Sequence, residues 1–96
     1  VAIEGQGRGY HGTIGVMVGV SKEGEITDIG ITSHSETPGI GSRVTEDTFT
    51  GRFQGRPITG EIQVDGISGA TYSSKGVMSA VNEAVGYVTE FKQELF

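Results

Sequence analysis

Apolar residues alternate with small or polar residues near the start of the chain. The alternating residues between positions 13 and 21 are Ile14, Val16, Val18 and Val20. This period of two is typical of a half-buried strand. The following KEGE sequence at residues 22–25 predicts a turn in which Gly24 adopts a positive φ, and residues 26–33 predict a second strand. Together these segments predict an antiparallel hairpin.

A helical pattern occupies the end of the chain. Apolar residues recur there at three- and four-residue spacing: Val77, Val81, Ala84, Val85, Val88, Phe91 and Leu95. This spacing predicts one long amphipathic helix. Thr71, Ser73 and Ser74 are predicted to cap it by accepting hydrogen bonds from the backbone N–H groups of its first turn. Met17 and Met78 are predicted to fill the core.

The middle of the chain contains shorter elements. Pro38, Gly39 and Gly41 interrupt any regular pattern, so residues 35–42 are predicted to form a loop. A short helix is predicted within residues 44–53, and a short third strand over residues 61–64. The sequence therefore predicts a single α+β domain over residues 1–96, in which a small curved antiparallel sheet is packed by one long C-terminal helix and a short connecting helix.

Composition and charge exclude several classes of function. The net charge is −5 and lysines and arginines form no cluster, which argues against a nucleic-acid partner. Cysteine is absent, so the segment contains no disulfide and no thiolate metal site. No apolar run approaches the roughly 20 residues of a spanning helix, so we expect no direct membrane insertion by this segment. The 17 glycines indicate tight turns and close backbone approach.

One motif in the sequence is misleading. Residues 7–12, GRGYHG, match the dinucleotide fingerprint G-x-G-x-x-G. That fingerprint binds pyrophosphate only where its last glycine leads into a helix, and here Thr13 begins a strand pattern. We therefore interpret residues 7–12 as a glycine-rich loop.

The sequence DGISGAT at residues 65–71 has the properties of a phosphate site. Two glycines allow close backbone approach, and the hydroxyls of Ser68 and Thr71 lie where the long helix begins. A helix N-terminus offers unsatisfied N–H donors and about half a unit of positive charge, which stabilise phosphate. The alternative interpretation is an ordinary capped helix after a glycine turn.

The same seven residues resemble the flavinylation motif D-x-x-[ST]-G-A-T of the FMN-binding domain family. Its members include the flavin-carrying G subunit of the Rnf electron-transport complex and the C subunit of sodium-pumping NADH:quinone oxidoreductase. The resemblance implies covalent FMN, linked through its phosphate to the oxygen of Thr71. It also implies that Asp65 belongs to the pattern recognised by a separate Mg-dependent flavin transferase that uses FAD as donor.

A second stretch supports this resemblance. Residues 34–41, HSETPGIG, are similar to the family loop H-x-E-T-P-G-[LI]-G, which lies against the flavin. Gly9-Tyr10 and residues 53–55 are also similar to family positions. Besides Thr71, the candidate cofactor-binding residues are Asp65, Ser68, Gly69, Ala70, Tyr72, Ser73, Glu36, Thr37, Pro38, Gly39 and Ile40. Among them, Pro38, Ile40 and Tyr72 are candidates for apolar contact with the flavin ring, whose polar edge is expected to bond backbone N–H groups of the 36–41 loop.

The implied function is electron transfer without independent turnover. No acidic and basic residues are adjacent to Thr71 in a nucleophile–base arrangement, so the chain is expected to be the substrate of the transferase. The resemblance implies other subunits of a membrane electron-transport complex as partners. It also implies a location on the extracytoplasmic face of the cytoplasmic membrane, with an anchor in a longer chain outside this segment. The alternatives are a module that binds FMN or another phosphorylated ligand non-covalently and a purely structural domain.

Five further polar residues have two interpretations each. His34 and Glu36 resemble a pair of metal ligands, but no third ligand lies nearby in sequence, so hydrogen bonding within the loop is the preferred interpretation and no metal is predicted. Arg43, Arg52 and Arg56 would suit an acidic partner, although scattered solvated charges are commoner.

Overall fold

The computed structural model describes residues 1–36, 38–39 and 41–95, which form one sheet and a set of helices. The strands are β1 (Ala2–Arg8), β2 (Thr13–Val20) and β3 (Ile26–Ser33). The helices are α1 (Asp47–Thr50), α2 (Thr71–Glu90) and α3 (Lys92–Leu95), with 3₁₀ turns at Gly41–Thr45 and Gly51–Phe53 on either side of α1. The sheet order is β1-β2-β3, and both pairs are antiparallel.

The predicted fold class is confirmed. The predicted hairpin corresponds to β2 and β3, and Gly24 in its turn has φ +80°. The short connecting helix is α1, and the long helix is α2. Residues 7–12 cover the end of β1 and the turn into β2, where the N–H of Gly9 donates to the carbonyl of Gly12 at 2.8 Å. The dinucleotide fingerprint is therefore excluded, because a strand follows its last glycine.

The core lies between one face of the sheet and α2. The alternating residues of β2 face the apolar side of α2. Phe49 and Phe53 belong to the same core, and the centres of their rings are 5.6 Å apart. Fully buried apolar side chains of this kind contribute about 1.5–3 kcal/mol each relative to exposure. The prediction that Met17 fills the core is wrong, because it lies on the outer face of the sheet and is 38% exposed. Met78 is half-buried against the core.

Strand β1 packs directly against the backbone of α2. A Cβ atom added to Gly5 would lie 2.0 Å from the carbonyl oxygen of Ala80, and one added to Gly7 would lie 2.0 Å from that of Gly76. On the helix side, a Cβ on Gly76 would lie 2.8 Å from the nitrogen of Gly9. This contact between strand and helix, the glycine seam, is therefore formed by Gly5, Gly7 and Gly76 and leaves no room for a methyl group.

The prediction of a third strand over residues 61–64 is wrong. The segment has no regular secondary structure, and it pairs with no strand in the described part of the chain. The side chain of Asn82 takes the place of a neighbouring strand. Its Oδ1 accepts from the N–H of Ile62 at 2.7 Å, and its Nδ2 donates to the carbonyl of Ile62 at 2.9 Å. One side-chain amide thus provides hydrogen-bond partners for both backbone groups of the buried residue Ile62.

We expect Asn82→Ala to lower the free energy of unfolding by about 1–2 kcal/mol, because it leaves the backbone groups of Ile62 without partners. Urea denaturation measures this loss. Ser79→Ala is the matched control: Ser79 is exposed on the same helix, so this change gains the same kind of helix propensity without removing a bond to Ile62. Equal stabilities of the two variants would contradict the role of Asn82.

No helix among the described residues combines the length and the apolar character needed to cross a membrane.

Candidate functional site

Thr71 begins helix α2 at the end of a tight turn. Ala70 is the N-cap residue, and its N–H donates to the carbonyl of Ile67 at 2.9 Å. Gly69 has φ +83°, a value that L side chains rarely adopt, so a glycine is favoured there. Ile67 is buried and fixes the turn to the core, whereas Thr71 is exposed. The hydroxyl-bearing residue therefore lies at the surface on a well-anchored turn.

The prediction that hydroxyls cap α2 is wrong. No side chain among the described residues caps the helix. The hydroxyl of Ser74 instead accepts from the N–H of Ile67 at 2.9 Å and donates to the carbonyl of Ala70 at 2.8 Å. The hydroxyl of Ser73 donates to Glu36. None of the described residues accepts a hydrogen bond from the N–H groups of residues 71–73, so these donors remain available to an anion.

A buried carboxylate joins the three segments around Thr71. Glu36 is only 4% exposed, and its side chain accepts hydrogen bonds from the N–H groups of Tyr10 at 2.7 Å and His11 at 2.8 Å. It also accepts from the hydroxyl of Ser73 at 2.5 Å. The turn between β1 and β2, the 34–41 loop and the first turn of α2 therefore meet at one carboxylate. Both of its oxygens are engaged within the protein, and Glu36 lies outside the lining of a surface cleft that opens beside Thr71.

These contacts determine the charge of Glu36. Burial by itself raises the pKa of the carboxyl. The hydrogen bonds from Ser73, His11 and Tyr10, together with the charge of His11, outweigh burial and hold the pKa of Glu36 below its ordinary value. Glu36 is therefore an ionised carboxylate at neutral pH, and three donors compensate its buried charge.

Two local hydrogen bonds hold the described residues of the 34–41 loop. His34 has the predicted loop role: its Nδ1 accepts from the N–H of Glu36 at 3.2 Å. The N–H of Gly39 donates to the hydroxyl of Ser42 at 2.9 Å. These two N–H groups, which were expected to bond the flavin, are therefore already engaged. The described residues contain no group of three or more histidine or carboxylate side chains placed to hold a metal.

A cleft of about 240 Å³ opens beside Thr71. Its lining residues are Tyr10, His11, Gly41, Gly69, Ala70, Thr71, Tyr72 and Ser73. The exposed rings of Tyr10 and Tyr72 lie 5.8 Å apart at a tilt of 34°. Pockets for drug-sized ligands usually measure about 300–1,000 Å³, so this cleft fits only part of a nucleotide-sized group.

The cleft brings together five of the predicted site residues, which are Gly69, Ala70, Thr71, Tyr72 and Ser73. Asp65 and Ser68 are exposed on the preceding turn, and Pro38 and Gly39 are exposed in the loop, all outside the cleft lining. Thr37 and Ile40 lie outside the described residues. The cleft also contains Tyr10, His11 and Gly41, which were not among the candidate residues predicted from the sequence. The family-like Gly9-Tyr10 pair was a signal for Tyr10, and the family-like 34–41 loop was a signal for Gly41.

A larger groove of about 1070 Å³ lies between residues 58–64 and helix α2. It contains none of the predicted site residues. Because the exposed hydroxyl and the helix N-terminus lie in the smaller cleft, we assign the candidate site to that cleft.

Known proteins resemble this chain over most of its length. The model of the FMN-binding domain family matches residues 9–86. The G subunit of the proton-translocating ferredoxin:NAD(+) oxidoreductase complex of Clostridium ljungdahlii is 34% identical over 93% of this chain and 53% of its own length. The G subunit of the ion-translocating oxidoreductase complex of Methanosarcina acetivorans is 40% identical over 84% of this chain and 47% of its own length. The chain thus spans about half the length of the curated relatives it matches.

Two solved structures share the fold. NqrC of Shewanella oneidensis superposes with a TM-score of 0.79 at 26% identity, covering 96% of this chain and 52% of that one. The C subunit of the Na(+)-translocating NADH-quinone reductase of Parabacteroides distasonis gives a TM-score of 0.80 at 26% identity, covering 94% and 55%. Since the family model matches most of the sequence and these structures have the same architecture, the chain belongs to the FMN-binding domain family.

Proposed function

We propose that this domain transfers electrons through an FMN that is attached covalently, by a phosphoester bond, to the hydroxyl of Thr71. One observation carries the proposal. The exposed hydroxyl of Thr71 lies in a cleft at the N-terminus of a 20-residue helix whose first N–H groups have no partner among the described residues. Such an N-terminus stabilises a phosphate through its N–H donors and its positive partial charge.

The residues around the cleft fit the remainder of an FMN group. The polar side of the cleft consists of the helix N-terminus and the turn at Gly69. Its rim carries the exposed rings of Tyr10 and Tyr72, whose apolar faces suit an aromatic cofactor. The bound isoalloxazine would supply the redox chemistry, while the protein contributes binding and orientation.

The attachment itself requires a second protein. The hydroxyl of Thr71 forms no hydrogen bond to a base among the described residues, so this chain supplies a nucleophile without activating it. With FAD as donor, the oxygen of Thr71 bonds to the phosphorus on the FMN side. The bond between the two phosphates breaks, AMP leaves, and the hydroxyl proton passes to a base of the flavin transferase. Mg²⁺ held by that enzyme would stabilise the charge on the phosphates.

The names of the relatives support a place in a larger assembly. The Clostridium and Methanosarcina proteins are subunits of ion-translocating oxidoreductase complexes. We place this domain in a redox complex of that kind, on the extracytoplasmic face of the membrane, with its anchor outside residues 1–96. That the domain takes part in the activity of such a complex is part of the same proposal.

Coexpression with a flavin transferase tests the attachment. The intact mass of the chain is expected to rise by one FMN less one water, and Thr71→Ala is expected to abolish this increment because the acceptor oxygen is gone. Thr71→Ser should retain at least part of it. Ser79→Ala, an exposed hydroxyl on the same helix, is the control and should be modified like the unsubstituted chain.

Three results would contradict the proposed covalent attachment at Thr71. Thr71→Ala that still gains the mass of FMN would move the attachment to another residue. An unsubstituted chain that is yellow but releases all colour on denaturation would favour the non-covalent binding module. A colourless, unmodified chain would instead favour a purely structural domain.

A further inference from the structure

Arg52 contacts the turn that carries the attachment motif. Its guanidinium Nη1 donates to the carbonyl oxygen of Asp65 at 2.6 Å and to that of Gly66 at 3.3 Å. The guanidinium carbon also lies 5.6 Å from the centre of the ring of Phe49, which is fully buried. A cation over an aromatic face is attracted to it, so Phe49 helps to fix the direction of the arginine side chain. Arg52 therefore links the core to the first two residues of the motif.

The two ends of the turn are held differently. At the Ile67 end of the turn, the buried side chain of Ile67 and the hydroxyl of Ser74 bind the turn to the core and to α2. At its beginning, Arg52 supplies the contacts to the carbonyls of Asp65 and Gly66. Loss of the arginine would therefore release the beginning of the turn while the end stayed anchored.

Arg52 binds two backbone carbonyls rather than the side-chain carboxylate of Asp65. Arg52 binds the backbone oxygen of Asp65, and the side-chain carboxylate of Asp65 forms no hydrogen bond or ion pair with the described residues. A direct pair between the two charges would have neutralised that carboxylate. The observed arrangement fixes the backbone of Asp65 and leaves its negative charge exposed to solvent, on the same motif as the exposed hydroxyl of Thr71.

We propose that Arg52 is a positioning residue for the modification of Thr71: it braces the start of the motif turn so that the Asp65 carboxylate and the Thr71 hydroxyl are presented together to the flavin transferase. This role rests on the proposed function. Arg52 touches neither the acceptor oxygen nor the cleft. It acts through the backbone of residues 65–66.

Arg43 and Arg56 provide the comparison. Arg43 pairs with the exposed Glu46 at 3.5 Å, and Arg56 donates through Nε to the carbonyl of Arg52 at 3.3 Å. Neither donates a hydrogen bond to residues 65–71 among the described contacts. Arg43→Ala therefore removes a surface arginine with no effect on the motif turn.

The test measures modification kinetics. Flavin-free chain is incubated with purified flavin transferase, FAD and Mg²⁺, and initial rates of the mass increase are determined over a range of chain concentrations. Arg52→Ala is expected to lower kcat/KM for the chain about tenfold, because two hydrogen bonds from a charged donor to the turn are lost. Arg52→Lys, which keeps the charge but not the planar guanidinium, is expected to recover about a third of the normal value. Arg43→Ala should remain within about twofold of the unsubstituted chain.

Folding and attachment are separated by two further measurements. Rates are normalised to the folded fraction from circular dichroism at the assay temperature, so that a global loss of stability does not mimic a loss of positioning. NMR order parameters of the backbone N–H groups should fall at residues 65–66 in Arg52→Ala, because the turn is no longer braced, and stay unchanged within α2. Normalised rates of Arg52→Ala and Arg52→Lys equal to that of the unsubstituted chain would overturn the role of Arg52. An unsubstituted chain that is never modified would instead overturn the proposed function.

Discussion

Gly7→Ala is expected to lower the free energy of unfolding by about 3 kcal/mol, the upper end of the usual cost of overpacking. The added methyl group would lie 2.0 Å from the carbonyl oxygen of Gly76 and 2.7 Å from the nitrogen of Ala80. Both are backbone atoms of α2, so no side-chain rotation relieves the overlap. Strand and helix must separate along the glycine seam. Urea denaturation followed by circular dichroism measures the loss.

Control variants distinguish the seam from a general effect of alanine. Gly30→Ala, on β3, adds a Cβ with no atom within 4 Å and should change stability little. On the helix itself, Gly86 also has open space, and Gly86→Ala should gain up to about 1 kcal/mol from helix propensity. Gly76→Ala gains the same propensity but meets the backbone of residues 8–9, so it should be destabilising. Equal effects at Gly76 and Gly86 would show that the seam does not limit stability.

The seam also matters for the site. Strand β1 leads into the turn that carries Tyr10 and His11, and both residues line the cleft beside Thr71. A seam that is forced open would move this turn away from the start of α2. The glycines therefore determine how closely two walls of the cleft approach each other.

Glu36→Gln is expected to lower the free energy of unfolding by about 2 kcal/mol at pH 7. The amide can keep one acceptor oxygen, but its NH₂ group must then face a donor, either the N–H of His11 or the groups of Tyr10 and Ser73. Thermal or urea denaturation measures the change. Glu23→Gln, at an exposed turn position, is the matched control and should have almost no effect.

The pH dependence gives a sharper test of the same carboxylate. Because hydrogen bonding lowers the pKa of Glu36 in the folded state, its stabilisation is fully present above the unfolded value of about 4.5 and is lost as pH falls through the lower folded pKa. The stability advantage of the unsubstituted chain over Glu36→Gln should therefore be constant near neutral pH and shrink below about pH 4.5. Comparing the two chains cancels the titration of other groups. A difference that stays constant down to pH 3 would mean that Glu36 is not the ionised acceptor of these hydrogen bonds.

Loss of the carboxylate should also affect the cofactor site. Glu36 is the point at which Tyr10, His11 and Ser73 are joined, and these three residues all line the cleft. If Thr71 carries the flavin as proposed, Glu36→Gln should still be modified. Its flavin should be more mobile, which lower fluorescence anisotropy would reveal.

Local patterns in the sequence were sufficient for β2, β3 and α2, but they did not predict β1 (Ala2–Arg8), whose sequence AIEGQGR has no regular apolar alternation. The period-two residues of β2 and the three- and four-residue spacing of α2 reflect one buried face each, and such periodicity is visible without knowing what covers the face. The motif at residues 65–71 was recognisable because its seven residues are contiguous. The prediction of a strand over residues 61–64 failed because that short segment has only two apolar residues, and its partner is a side chain 20 residues away on α2.

The sequence by itself determined the hairpin, the long helix, the α+β class and the position of the 65–71 motif, because each depends on neighbours along the chain. Only the tertiary structure decided the glycine seam, the burial of Glu36 among three donors and the contact of Arg52 with the motif turn. The side-chain hydrogen bonds of Arg52 and Glu36 join residues 13 to 37 positions apart, and the seam depends on the absence of a Cβ atom where two backbones meet. No local pattern of apolar and polar residues indicates which distant segment a glycine, a glutamate or an arginine will contact.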